Sequence, residues 1–212
     1  NIDFVRALRD ALSNDDGTIF RWSAHENTVL NKLREELLAS AAPPPDKDAL
    51  VNFIESITSR SVSPKEKIHG PRTMVDLCDI AEKFYFHPST KGSNSLKKVL
   101  PALMKSSIVL RETYGKATYG GKGVSLNFVE PIAWWQERDG QVMDPYALLP
   151  PVFDDVSRDE TDAADEGLSE ELKEGGAAMA AYARLQFEDL SDTRRASIES
   201  ALLRYCELDT LA

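Results

Sequence analysis

The sequence predicts a helix-rich α/β domain. Apolar residues recur at helical spacing through most of the chain. In its first part those helices alternate with short segments rich in β-formers, the pattern of a layered α/β unit. With 212 residues, 42% of them hydrophobic, the chain can bury a sizeable core in a length that suits one domain, taken as 1–212.

The elements follow in order. Residues 3–13 read as an amphipathic helix capped by Asp3, with Phe4, Ala7, Leu8, Ala11 and Leu12 at helical spacing. The turn NDDG leads into TIFRWS, a short strand. Helical spacing resumes over 25–38 through Val29, Leu30, Leu33 and Leu37, and the prolines before residue 46 stop it. A further helix is expected over 48–58, then a polar loop over 60–72. TMVDLC reads as a strand running into the helix DIAEKFYF, with Asp76 as its N-cap, and His87-Pro88 ends that helix. SLKKVLPALM reads as a helix capped by Ser95 and kinked or ended at Pro101. The segment 114–129 is rich in glycine and β-formers. Residues 154–174 are acidic and poor in large apolar groups, and are expected to form a flexible insertion. Helical character returns over 175–189, and a last helix starts at a cap on Ser191 or Asp192.

Composition narrows the function classes. No window holds the roughly 18 apolar residues of a membrane span, so no membrane partner is expected. Two cysteines far apart, with no CxxC pair, argue against a zinc site and suit a reducing cytoplasm. The net charge is −10, but it is unevenly spread. Residues 60–122 hold twelve Lys and Arg against five Asp and Glu, and residues 130–174 hold three against fourteen. This asymmetry fits a nucleic-acid-binding face beside an acidic segment, and equally two differently solvated surfaces. The start lacks Met and the end stops on a helical pattern, so the chain is expected to be part of a longer protein.

Several residues carry chemistry. In LLRYCELDTLA, Tyr205 and Asp209 are four apart, so a helix puts both on one face. A phenol one turn from a carboxylate can position a water held by a carboxylate-bound cation. In FRWSAHENTVL a strand ends and a helix opens at His25-Glu26. A carboxylate there suits a hard cation such as Mg²⁺, or simply favours the helix dipole. In KGSNSLKKVLP the helix start at Ser95 can receive a phosphate, and Lys91, Lys97 and Lys98 can meet a nucleic-acid backbone; a capped surface helix is the plain alternative. Asp76 reads as a cap ahead of a metal ligand, and Trp134 and Trp135 as core or interface ahead of base-stacking groups.

FRWSAHENTVL, MVDLCDIAEKFYFHP, KGSNSLKKVLPAL and YCELDTLA, in this order, resemble a bacterial family assigned to the DnaQ-like, ribonuclease-H-like exonuclease fold, tyrosine subtype. The resemblance spans most of the chain and implies a divalent-metal-dependent 3′–5′ exonuclease using two Mg²⁺ or Mn²⁺ ions on nucleic acid. In that superfamily four acids bind the ions: two in an Asp-x-Glu on the first strand, a third after a later strand, and a fourth in a helical Tyr-x-x-x-Asp. The resemblance assigns Tyr205 to orienting water and Asp209 to metal binding. Glu26 takes the third place, where the superfamily usually has Asp. No Asp-x-Glu precedes Glu26, so the first strand and two ligands are expected upstream, and the resemblance allows a further nuclease or helicase domain in the full-length protein. The fragment itself is then expected to be inactive. The runner-up reading is a noncatalytic nucleic-acid- or protein-binding module on the same scaffold.

Overall fold

In a computed structural model the chain is mixed α/β, helix-rich with small two-stranded sheets. Residues 1–63, 65–121, 123–149 and 170–212 are described. The backbone forms two compact units, Asn1–Phe86 and His87–Ala212.

The first unit opens with α1 (Ile2–Leu12), α2 (His25–Ala39) and α3 (Lys47–Ile57). Val5, Leu30, Leu33, Leu37, Leu50, Val51, Ile54 and Ile57 form its core. The helical spacing of those residues in the sequence is what lets the three helices bury one shared stripe. Asp3 does not cap α1: Asn1 holds that position, and Asp3 lies in the first turn, paired with Arg6 at 2.9 Å. A carboxylate in the first turn serves the helix dipole without capping. Arg6 also grips Asp46 at 2.7 Å, and this hydrogen-bonded partner holds Asp46 down at a pKa of about 2.

Two small sheets complete the unit. β1 (Phe20–Arg21) pairs in parallel with β4 (Val75–Asp76), so the intervening helices form the crossover that a parallel pair requires. The expected loop over 60–72 is instead an antiparallel hairpin, β2 (Ser59–Ser63) with β3 (Glu66–His69). Its residues are mostly exposed on both faces, so no alternation of apolar and polar side chains marks it in the sequence. Gly70 leaves the hairpin where the chain passes the end of α3: a Cβ there would lie 2.1 Å from the Glu55 carbonyl oxygen and 2.3 Å from that of Ser56.

Asp76 ties β4 to α4 (Leu77–Phe84). Its carboxylate accepts from the Cys78 and Asp79 amides as an N-cap, accepts from the Ser23 amide at 2.9 Å, and pairs with Arg21 at 2.9 Å. Both side chains of that pair are nearly covered, at 14% and 12% exposure. The capping role expected for Asp76 is therefore observed, and the same carboxylate also fixes the chain leaving β1.

The second unit begins with a 3-10 turn at Pro88–Thr90, then α5 (Leu96–Ser106) and α6 (Ile108–Tyr114). α5 continues through Pro101, which neither ends it nor stops the burial of Val99, Leu100, Ala102 and Met104. A hairpin of β5 (Glu137–Arg138) and β6 (Gln141–Val142) follows, then a 3-10 turn at Pro145–Leu148. α7 (Glu170–Phe187) and α8 (Asp192–Leu211) close the unit, the latter capped by the Ser191 side chain on the Arg194 amide, as expected. The acidic stretch 154–174 lies outside the described residues as far as 169, and its last residues belong to α7.

Leu100, Met104, Phe128, Trp134 and Leu208 make one core of this unit, and Ala181, Leu185 and Ile198 join α7 to α8. Trp134 is 1% exposed and meets Phe128 edge-on at 5.2 Å, so it is a core residue and not a base-stacking one. Trp135 donates its indole N–H to the Met104 carbonyl and carries Arg111 on its ring at 4.8 Å. Among the described residues no helix is long and apolar enough to cross a membrane.

Replacing Asp76 with alanine removes a cap, a strand-to-loop bond and an ion pair at once. The expected cost is about 2 kcal/mol in urea-induced unfolding. An unchanged midpoint and slope would show that these bonds are made equally well to water.

Candidate functional site

α8 carries functional groups on two opposite faces. Residues four apart share a face, and a residue two positions from each points the other way. Tyr205 and Asp209 accordingly lie together, while Glu207 faces away from them.

Glu207 is a structural anchor. Its carboxylate accepts from the Tyr119 hydroxyl at 2.7 Å, the Ser125 hydroxyl, the Asn127 amide at 3.0 Å and the Asn127 side-chain amide at 2.6 Å. Arg204, one turn of side chains away, donates to the Asn127 carbonyl at 3.2 Å. Burial pushes the Glu207 pKa up, but the bonds from Ser125, Tyr119 and Asn127 together outweigh it and hold the group below its usual value. Tyr119 responds in the opposite sense: burial, with the bond to Glu207 and that group's charge, pushes its pKa up to about 12. The glycines of this loop let it fold tightly. Gly120, at a φ of 127°, passes so near the Glu130 carbonyl oxygen that a Cβ would lie 2.4 Å from it.

The other face of α8 gathers four side chains from three parts of the unit. Asp209 accepts a hydrogen bond from the Tyr146 hydroxyl at 2.7 Å. The Tyr146 and Tyr205 rings are 6.1 Å apart. The Lys97 ammonium, from the first turn of α5, lies 4.7 Å from the Tyr205 ring centre and 5.7 Å from that of Tyr146. Tyr146 is placed by its 3-10 turn, whose cap Asp144 accepts from the Tyr146 amide at 3.0 Å. Burial pushes the Tyr146 pKa well above the ordinary phenol value, and the Asp209 charge and the bond to it add to that. Tyr146 is therefore the donor and Asp209 the acceptor across the whole neutral range.

Three of the residues picked out in the sequence, Lys97, Tyr205 and Asp209, thus meet in one cluster. Tyr146 was not among them. It lies in a proline-containing turn 63 positions from Asp209, and no spacing rule connects the two. Glu207 was passed over as an intervening position of Tyr-x-x-x-Asp, although its place opposite Tyr205 and Asp209 follows from the helical repeat.

The remaining candidates are distributed more widely. Lys98 is half-buried beside Lys97 in α5. Lys91 is exposed and ends the 3-10 turn in a left-handed conformation at φ 51°. Ser95 occupies the N-cap position of α5, but its side chain makes no capping bond. The Ser95 carbonyl accepts from the Lys98 and Val99 amides instead, and the Ser93 hydroxyl accepts from the Ser95 amide. Glu26 belongs to the first unit, exposed in the opening turn of α2 as the sequence placed it.

Cys206, beside Tyr205, is not an activated thiol: desolvation and then the Asp209 charge push its pKa up. Asp209 offers one hard oxygen donor for a divalent cation. Among the described residues no group of three or more His, Cys, Asp or Glu is placed to hold a metal ion, so a complete ligand shell needs donors beyond this cluster.

A family model described as Domain of unknown function (DUF2779) matches residues 1–95. The match includes Glu26, Lys91 and Ser95 and stops before Lys97, Tyr146, Tyr205 and Asp209. No curated protein and no solved structure matches the chain.

Glu207 and Tyr119 give opposite signs of pH dependence. A carboxylate held below its unfolded pKa contributes stability that is present above that value and lost as pH falls through the folded one. A phenol raised to about 12 contributes stability that is present below about pH 10 and lost as pH rises through about 12. Glu207→Gln is expected to cost about 2 kcal/mol at neutral pH. The gap from the parent should narrow below about pH 4 in thermal or urea melts. A gap that does not change with pH would contradict the anchoring carboxylate.

Proposed function

We propose that this chain is part of a divalent-metal-dependent 3′–5′ exonuclease that hydrolyses nucleic-acid phosphodiesters on a ribonuclease-H-like, DnaQ-like scaffold. The observation that carries the reading is the meeting of Lys97, Tyr205 and Asp209, which come from KGSNSLKKVLPAL and YCELDTLA, two of the segments that carry the resemblance. A carboxylate, a phenol and an ammonium are the groups that phosphodiester hydrolysis uses.

The roles follow from their chemistry. Asp209 is a hard oxygen donor suited to Mg²⁺ or Mn²⁺. Bound divalent ions would activate water and offset the charge that develops on the phosphate. Tyr146 holds one Asp209 oxygen by a hydrogen bond, fixing the direction in which the carboxylate presents the other. Tyr205, on the same helical face, orients the attacking water. Lys97 meets the phosphate and keeps its negative charge near Asp209, with Lys98 and Lys91 as further backbone contacts. With one carboxylate in this cluster, catalysis by a metal pair calls on acids outside it.

The test is an assay of the full-length protein on 3′- and 5′-labelled DNA and RNA with Mg²⁺ or Mn²⁺. Asp209→Ala is expected to abolish shortening from the 3′ end. Tyr146→Phe, which keeps the ring and removes the bond to Asp209, is expected to lower activity about 10- to 100-fold. Glu26→Ala is the parallel test of the acid in the first unit. Undiminished degradation by Asp209→Ala defeats the proposal. Oligonucleotide binding without hydrolysis by the full-length parent would assign the chain to a noncatalytic binding module.

A further inference from the structure

A second basic feature lies entirely within the first unit, and two of its cations, Arg60 and Lys67, belong to the basic segment 60–122. The β2–β3 hairpin stands against one face of α2 and encloses a polar groove of about 560 Å³. The groove is built rigidly. The Asn27 side chain both accepts from the Ser59 amide at 2.8 Å and donates to the Ser59 carbonyl at 2.9 Å, and Asn31 donates to that same carbonyl at 3.0 Å. These bonds lock the start of β2 to α2 and fix the distance between the groove's walls.

Four cations line it: Lys32 and Arg34 from α2, and Arg60 and Lys67 from the hairpin. Glu35 is the one acid in the lining. Behind the wall Glu55 accepts from Arg34 at 2.6 Å and from Arg60 at 2.7 Å through the same oxygen. One carboxylate thus neutralises one of two guanidiniums and orients both, leaving a net positive charge held in place. Among the described residues Lys32 and Lys67 have no ion-pair partner, and both are exposed. Lys67 lies opposite Ser61 across the hairpin, so the two side chains share a face.

We infer that this groove between α2 and the β2–β3 hairpin binds the sugar–phosphate backbone of a nucleic-acid strand. The lining matches that class of ligand. Two ammonium and two guanidinium groups line it, and such groups bond phosphate oxygens. There is no aromatic side chain for base stacking, and Val62 is the one apolar residue of the lining. An acidic peptide would call for more apolar contact than this groove offers. Recognition is therefore of the backbone, independent of base sequence and steeply salt-dependent. The inference stands apart from the exonuclease reading, since the groove serves a hydrolysing and a non-hydrolysing chain equally.

The test uses the full chain and a fluorescein-labelled single-stranded oligodeoxythymidylate, with anisotropy read between about 50 and 200 mM salt. EDTA is present throughout, so binding is measured whether or not the protein is a nuclease. The Lys32→Glu, Lys67→Glu double variant is expected to bind at least about tenfold more weakly. The magnitude of its log–log salt slope should fall by about 1.4, the share of two single-strand phosphates. If charge reversal disturbs the thermal melt, the Lys32→Gln, Lys67→Gln variant is read instead, with a loss of at least about threefold and the same fall in slope. Absence of binding by the parent, or unchanged affinity and slope in a folded variant, overturns the inference. So does competition by polyglutamate as effective, per charge, as by the oligonucleotide, which would mark an acidic protein partner.

Discussion

The second unit depends on one carboxylate that is held on every side. Glu207 takes four hydrogen bonds from Tyr119, Ser125 and Asn127 and so draws Tyr119 and residues 125–128 onto α8. A half-buried charge is tolerated only when its lone pairs are used, and here the loop supplies both hydroxyl and amide donors. The loop then brings Phe128 against Trp134, and the aromatic core forms around them. Because α8 is helical, fixing Glu207 toward the loop turns Tyr205 and Asp209 toward α5 and the Pro145–Leu148 turn. The anchor thus decides which way the chemically useful face of the helix looks.

Asp76 does comparable work in the first unit. It caps α4, holds the Ser23 amide and pairs with Arg21, so that the parallel contact between β1 and β4 is fixed at the C-terminal end of the pair. Such short strands have little ladder energy of their own, and the side-chain bonds of the cap and ion pair supply what two residues of pairing cannot. The helical core of Leu30, Leu33, Leu50 and Ile54 gives this junction a fixed base.

Two separate collections of cations emerge, with different surroundings. Lys97 sits among phenols and a carboxylate, a setting suited to chemistry at a phosphate. Lys32, Arg34, Arg60 and Lys67 line an open polar groove with amides and hydroxyls, a setting suited to holding a strand. The overall charge of −10 conceals both, since clustered like charges act locally at distances where the rest of the molecule is screened.

Much of this was legible in the sequence. The helices over 25–39 and 47–57, the caps at Asp76 and Ser191, and the pairing of Tyr205 with Asp209 on one face all follow from local rules of periodicity and hydrogen bonding. The β2–β3 hairpin did not, because its exposed polar residues leave no alternation to read. Nor did the partnership of Tyr146 with Asp209, the anchoring of Glu207, or the presence of Lys32 and Lys67 in one groove. These join residues far apart in the chain. Sequence determines which side chains share a face of one element, because that depends on the backbone repeat alone; which faces meet is decided only when the apolar cores close and bring distant elements together.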